Sequence, residues 1–244
     1  MSYLIEIATS DFLTTRSAVE GGADRIELCS NLAEGGTTPS AGLVRKCREV
    51  FNVLFYPIIR PRGGDFLYTK EEFEIMLHDI KLFKEYGCDG VVIGLLQADG
   101  TIDLSRTAKL VEAAYPLGVT FHRAFDRCLD PFAAMEQLIG IGCERILTSG
   151  QQPEAPAGVE LIARLNQAAD NRIIIMPGSG VRVGNVRQLA DQTGCTELHS
   201  SLRRKTKSSM QFIHPAFASS EESYMNNAIS ADEVRQLKKA LTGN

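Results

Sequence analysis

The chain has 244 residues, 44% hydrophobic and 23% charged, with 26 lysines and arginines against 30 aspartates and glutamates and a formal net charge of −4. This is an ordinary globular composition without general attraction to nucleic acid or anionic membrane, so any anion binding has to be local. Six scattered cysteines with no CxxC pair exclude a zinc finger and a disulfide framework, and the lack of a basic-then-apolar opening or of any apolar run near about 18 residues predicts a cytoplasmic protein without a membrane span.

Leu4 to Ala8 reads as the first strand, and Asp11 to Glu20 as a helix closed by Gly21-Gly22, where glycine takes the left-handed terminating conformation. Arg25 to Leu28 is the second strand. A loop from Cys29 leads to Thr38-Pro39, a fitting N-cap and first helical residue for a helix through Val50. Val53 to Ile59 has the short, continuous apolar character of a strand covered on both faces. It breaks into Arg60-Pro-Arg62-Gly-Gly64, where the two arginines share a face if the chain stays extended. Thr69 and Glu72 make a capping box for a helix to about Tyr86.

The alternation then continues without a lapse. Strands are predicted at Gly90 to Gly94, Gly118 to Phe121, Arg145 to Thr148, Ile173 to Met176 and Glu197 to Ser200. Helices are predicted at Leu104 to Ala114, from Asp130-Pro131, at Gly158 to Ala169 and from about Val183 to Gln192. Leu202 to Ile229 shows neither signal, and about thirty such residues suggest a lid, an oligomer contact or a mobile segment. Ser230 and Glu233 form a capping box for a last helix, Asp232 to Leu241.

Strands alternating with helices of this length imply parallel pairing through right-handed crossovers, and eight such units close into an α/β fold, the parallel (β/α)8 TIM barrel. Residues 1–244 are expected to form one domain, with 201–231 as an extended loop after the eighth strand. A doubly wound open sheet is the alternative, disfavoured because no GxGxxG turn follows the first strand. A repeat supports the barrel: a glycine, small or polar residues and then an apolar strand recur at Gly22 to Leu28, Gly87 to Ile93, Gly142 to Thr148 and Gly194 to Ser200. Such a glycine is also what any helix-to-strand turn wants.

Aligning the repeats sets the strand register. Arg25, Gly90, Arg145 and Glu197 fall in one interior layer, Glu27, Val92, Leu147 and His199 in the next, and Cys29, Gly94, Ser149 and Ser201 at the mouth. The lowest layer is predicted to be a structural ion cluster of Arg25, Glu197 and Arg145. Above it, Glu6, Glu27, Arg60, His122 and His199 are expected to form a wet polar ring, with Glu6, Glu27, His122 and His199 as catalytic candidates. Met176-Pro-Gly178-Ser-Gly180 after strand seven and Ser200-Ser201 after strand eight lie where barrels commonly hold phosphate on backbone N–H groups. With Arg60, Arg62 and Arg123 they make an anion site of Arg60, Arg62, Arg123, Gly178, Gly180 and Ser200. His78 and His214 are expected to play no part.

The motifs Gly-Ala-Asp-Arg-Ile-Glu-Leu-Cys from Gly22, Glu-Gly-Gly-Thr-Thr-Pro from Glu34, Arg60 to Tyr68, Thr-Phe-His-Arg-Ala-Phe-Asp from Thr120 and Leu-Thr-Ser-Gly from Leu147 resemble the CutC family, named for copper homeostasis. The resemblance runs from strand one to strand eight. It implies a cytoplasmic barrel forming homo-oligomers such as a homodimer, linked to copper tolerance and Cu(I) binding. The sequence carries no cofactor fingerprint, and no organic cofactor is expected. Family proposals for copper centre on cysteine, which here points to Cys29 in the Glu-Leu-Cys motif and to Cys128 after strand five. Two functions from different classes therefore stand: Cu(I) handling on soft thiolate, and binding or acid–base catalysis of a small phosphate- or carboxylate-bearing metabolite.

Overall fold

The computed structural model describes residues 3–217 and 224–243. Strands and helices alternate as β1 (Leu4–Thr9), α1 (Phe12–Glu20), β2 (Arg25–Leu28), α2 (Ala41–Val50), β3 (Leu54–Pro57), α3 (Lys70–Glu85), β4 (Gly90–Ile93), α4 (Leu104–Ala114), β5 (Gly118–Phe121), α5 (Pro131–Gly140), β6 (Arg145–Thr148), α6 (Val159–Ala169), β7 (Ile174–Pro177), α7 (Val186–Thr193) and β8 (Glu197–Ser200). A hairpin of β9 (Arg204–Lys207) and β10 (Met225–Ala228) and the helix α8 (Ala231–Thr242) follow. The parallel strands order as β3-β2-β1-β8 and β4-β5-β6-β7.

These two sheets meet at both seams. Between β3 and β4, Asp89 N–H donates to Phe55 O at 3.1 Å and Ile59 N–H to Val92 O at 2.8 Å. Between β7 and β8 the backbones approach so closely that a Cβ on Gly178 would lie 3.3 Å from His199 Cβ. The sheet therefore closes into a (β/α)8 TIM barrel. No helix among the described residues is long and apolar enough to cross a membrane.

Local chemistry explains the element ends. Asp11 caps α1 in a reciprocal box with Thr14, and Thr69 and Glu72 do the same for α3, with Glu72 N–H donating to Thr69 Oγ1 and Thr69 N–H to Glu72 Oε2 at 3.2 and 2.8 Å. All four repeat glycines, Gly22, Gly87, Gly142 and Gly194, have left-handed φ of 87°, 75°, 86° and 69°, so the demands of the helix-to-strand turn account for the repeat.

Three expectations are corrected. Ser40, not Thr38, caps α2, accepting from Leu43 N–H; Thr38 instead pairs with Arg60, whose N–H donates to Thr38 Oγ1 at 2.9 Å. Ser230 stands at the N-cap of α8 but makes no side-chain cap hydrogen bond, so the box with Glu233 is absent. The stretch after β8 contains the β9–β10 hairpin, whose β9 residues are all solvent-exposed and so carry no apolar alternation to read. Residues 218–223 of the expected 201–231 loop lie outside the described residues.

Ile26 and Leu28 enter the apolar layer beneath the helices, which turns Arg25 and Glu27 inward. Arg25 and Arg145 are fully buried and share Glu197, whose Oε2 lies 2.7 Å from Arg25 Nη2 and 2.6 Å from Arg145 Nε. The predicted ion cluster is present. Tyr56 of β3 fills the room left by glycine: a Cβ on Gly90 would lie 2.1 Å from Tyr56 Cε1, and both guanidinium carbons sit over the Tyr56 ring at 5.1 and 5.6 Å. The Tyr56 hydroxyl donates to Glu144 Oε2 at 3.0 Å, so the polar groups of this layer are partnered.

Candidate functional site

The site rests on a buried chain of charges above that layer. Strand register places Glu6 of β1 opposite Arg25 of β2 and His199 of β8. Arg25 Nε donates to Glu6 Oε2, while Glu6 Oε1 lies 2.7 Å from His199 Nδ1. His199 Nε2 lies 3.8 Å from Glu27 Oε2. The order Glu197, Arg25, Glu6, His199, Glu27 leads from the structural layer to the mouth.

Position in this chain decides the charge of each member. Burial alone would raise the Glu6 carboxyl, but Arg25 and the hydrogen bond to His199 outweigh it and hold Glu6 ionised, far below the usual carboxylate range. Burial raises Glu27, and repulsion from Glu6 adds to it against the opposing pull of His199. For His199, burial would lower the pKa; the Glu27 charge and the Glu6 hydrogen bond reverse this and raise it above the ordinary value. Glu6 thus orients His199, and the Glu27 and Glu6 carboxylates together favour its protonated form.

A cavity of about 400 Å³ opens above this pair at the C-terminal ends of the strands. Glu27, His122, His199, Arg60, Arg123, Gly180 and Ser200 line it. The loops after β7 and β8 form a further part of its wall through Ser179 to Arg182 and Ser200 to Arg203. Ser179 and Leu202 are non-glycine residues at left-handed φ of 74° and 42°, beside Gly180 at 72°. Among the described residues, the backbone N–H groups of Ser179, Gly180, Val181, Ser201 and Leu202 find no protein acceptor. Unpaired N–H groups in such turns form concavities that suit an anion. The Arg182 side chain is exposed and forms no ion pair among the described residues.

The ring is drier than expected. Glu6 is completely buried and does not reach the cavity; Glu27, His122 and His199 do, but are 5%, 4% and 8% exposed. Arg60 and Arg62 do not share a face, because β3 ends at Pro57 and the chain turns. Arg60 points its guanidinium at three carbonyls, Glu34 O, Gly36 O and Gly64 O, at 2.8, 2.7 and 3.0 Å. It has no carboxylate partner among the described residues, so its buried charge is met by carbonyl dipoles and the Phe66 ring and not by an opposite charge. Arg62 lies outside the cavity, occupied by Glu72 at 2.6 Å and Asp65 at 2.9 Å. Arg123 is held by Asp126 at 2.7 Å and Ser149 Oγ at 2.8 Å. Gly178 stands behind the wall, where a Cβ would lie 2.4 Å from Leu147 Cδ1, and Ser200 Oγ donates to Val181 O at 2.7 Å, bracing the loop after β7.

Neither candidate thiol lines the cavity. Cys29 is buried against Tyr56, Ile58 and Val92, with its Sγ 3.4 Å from Glu27 Oε2. Burial and the Glu27 charge push its pKa well up. Cys128 is buried beside Gln151, its thiol raised to about 12, first by burial. The donors Glu6, Glu27 and His199 approach within 4.8 Å of one another. That is a set of two oxygens and one nitrogen, and Glu6 is already neutralised by Arg25, so it offers Cu(I) none of the soft sulfur it prefers.

Residues 3–204 match the CutC family. The chain is 46% identical over 244 residues to the CutC family protein of Chromobacterium violaceum, covering 99% of each chain. It is 51% identical over 213 residues to that of Parabacteroides distasonis, covering 87% of this chain and 88% of the other. This chain belongs to the CutC family. A crystal structure of the putative copper homeostasis protein CutC from Streptococcus agalactiae superposes with a TM-score of 0.78 at 33% identity, covering 82% of this chain and 98% of that one.

Within this CutC barrel, sequence reasoning missed Arg127, Arg182 and Arg203 on the cavity wall, and Tyr56 beneath it. Arg182 and Arg203 each follow one of the anion-loop motifs by two residues, a signal present in the sequence. Tyr56 had none, since its position depends on the space that Gly90 and Gly118 leave across the barrel.

Proposed function

We propose that this CutC family barrel binds a small phosphate- or carboxylate-bearing metabolite at the C-terminal mouth and moves a proton on it. The observation that carries this reading is the pair Glu27 and His199, 3.8 Å apart, both raised in pKa and facing a cavity whose wall presents unpaired N–H groups. A carboxyl raised by burial and an imidazole held by a second carboxylate suit general base and acid at neutral pH. Arg60 and Arg182, neither of which has a carboxylate partner among the described residues, supply the positive field for the anion. A thermal-shift screen of phosphorylated and carboxylated metabolites tests it. At about 100 times Kd, binding adds about 2.7 kcal/mol, or about 5–10 °C in Tm. Arg182→Ala should reduce that shift; the absence of any shift, or shifts indifferent to Arg182, would overturn the reading.

Copper homeostasis, the role for which the Streptococcus agalactiae relative is named, is the second reading. Cys29 favours it, as a thiol at hydrogen-bond distance from a carboxylate of the same constellation. Cu(I) would have to displace the proton of a thiol whose pKa is raised and recruit a second soft ligand. An anaerobic Cu(I) competition titration of wild type beside Cys29→Ser decides it: tight binding lost with Cys29 supports copper handling, and weak binding unchanged by the substitution removes it.

A further inference from the structure

We infer that His122 is a neutral catalytic hydrogen-bond donor whose Nε2–H serves a carbonyl oxygen, so that the ligand is a small anionic aldehyde or ketone with a C–H next to the carbonyl. The inference rests on the anion-binding reading above and assigns the chemistry of that site.

The tautomer follows from one contact. Ala124 N–H donates to His122 Nδ1 at 3.1 Å, so Nδ1 holds a lone pair and the proton of a neutral ring sits on Nε2. The ring is neutral because burial and the Arg60 charge lower its pKa to about 3. His122 lines the cavity, yet its Nε2 is buried with no hydrogen-bond partner among the described residues. Buried donors rarely go unpaired, and one left so at a cavity wall is a place for a ligand acceptor.

The ring is seated closely against its neighbours. A Cβ on Gly94 would lie 2.3 Å from both Cε1 and Nδ1, the Phe66 ring centroid stands 5.0 Å off, and Ala124 N–H holds Nδ1, so the donor is positioned in advance, as electrostatic stabilisation of a developing charge requires. Its neutrality selects the acceptor. Phosphate or carboxylate is better served by Arg182 and the unpaired N–H groups of the β7 and β8 loops, whereas a neutral imidazole N–H suits an oxygen that becomes negative only during reaction.

The step balances within the site. Glu27 removes the proton from the carbon beside the carbonyl; the C–H electron pair becomes the C=C bond, and the carbonyl π pair moves to oxygen, where His122 Nε2–H stabilises it. Returning the proton to the same carbon gives exchange, and to the neighbouring carbon of a hydroxyketone, with transfer of the hydroxyl proton, isomerisation. No oxidant or further reactant is needed.

Two measurements test it. Nitrogen NMR of labelled histidine in the wild-type protein should show His122 neutral, protonated on Nε2 and unchanged between pH 5 and 8; a charged ring or the opposite tautomer overturns the proposal without any variant having to fold. Exchange of C–H for C–D in dihydroxyacetone phosphate and pyruvate, followed in D2O, should exceed the protein-free rate for at least one probe. His122→Phe should reduce it by about 100-fold, the usual effect of losing one oxyanion donor, while the thermal shift given by inorganic phosphate persists. If phosphate still shifts Tm but neither probe exchanges, or exchange ignores His122→Phe, this inference fails and the anion reading stands. If no anion shifts Tm, the reading beneath it fails as well.

Discussion

Two layers of the same barrel use the same residue types to opposite ends. In the lower, Arg25, Arg145, Glu197, Tyr56 and Glu144 satisfy one another within hydrogen-bond distance. In the upper, Arg60 has no carboxylate and His122 Nε2 no partner among the described residues, and Glu27 and His199 are 3.8 Å apart with raised pKa values. Paired buried charge holds a fold together, whereas polar groups left incomplete beside a cavity are groups kept for a ligand.

Breaking the lower layer should cost most. Glu197→Ala leaves two buried guanidiniums without their shared carboxylate, an expected loss of about 3–5 kcal/mol in denaturant unfolding. A loss under about 1 kcal/mol would show that water compensates the pair. Gly90→Ala should cost about 1–3 kcal/mol, because the new Cβ would stand 2.1 Å from the Tyr56 ring. An unchanged Tm would mean that Tyr56 is free to move.

The upper layer should answer in the other direction. Glu27→Gln removes a buried carboxylate whose ionised form is disfavoured, so stability at pH 8 should hold or rise by up to about 1 kcal/mol, while proton-transfer activity is lost. A clear destabilisation would place Glu27 with the structural charges. The smallest effect is a pH dependence. His199 has a folded pKa above its ordinary 6.5, so its stabilising contribution is complete below 6.5 and lost as pH rises through the folded value. Glu6 works oppositely: its contribution is complete above its ordinary 4.5 and lost as pH falls through a much lower folded value. Histidine NMR of wild type beside Glu6→Gln should show the His199 midpoint fall in the variant.

The lower layer was legible because it needs only alternation. Arg25, Arg145 and Glu197 stand at equivalent positions of aligned strands, and a two-residue side-chain period turns all three inward. The family, too, was readable in long local motifs, and residues 3–204 match it. The exact pairing within the upper ring was less legible. Eight alternating units predict the closure that sets β1 beside β8 and brings Glu6 and His199 into one ring, but not that Glu6 is sealed beneath it between Arg25 and His199. Arg60 and Arg62 misled because the extended-chain rule was carried past Pro57, where β3 ends. Arg182 and Arg203 sit on loops whose left-handed turns aim them, and the β9–β10 hairpin carries no buried face to betray it.

The most direct test of the account is an amide-resolved NMR titration with inorganic phosphate. The account predicts saturable shifts at the N–H groups of Ser179, Gly180, Val181, Ser201 and Leu202, with the amides of Arg25, Arg145 and Glu197 unmoved. Shifts confined to other surfaces, or none in that set at saturating phosphate, would contradict the claim that this mouth is built for an anion.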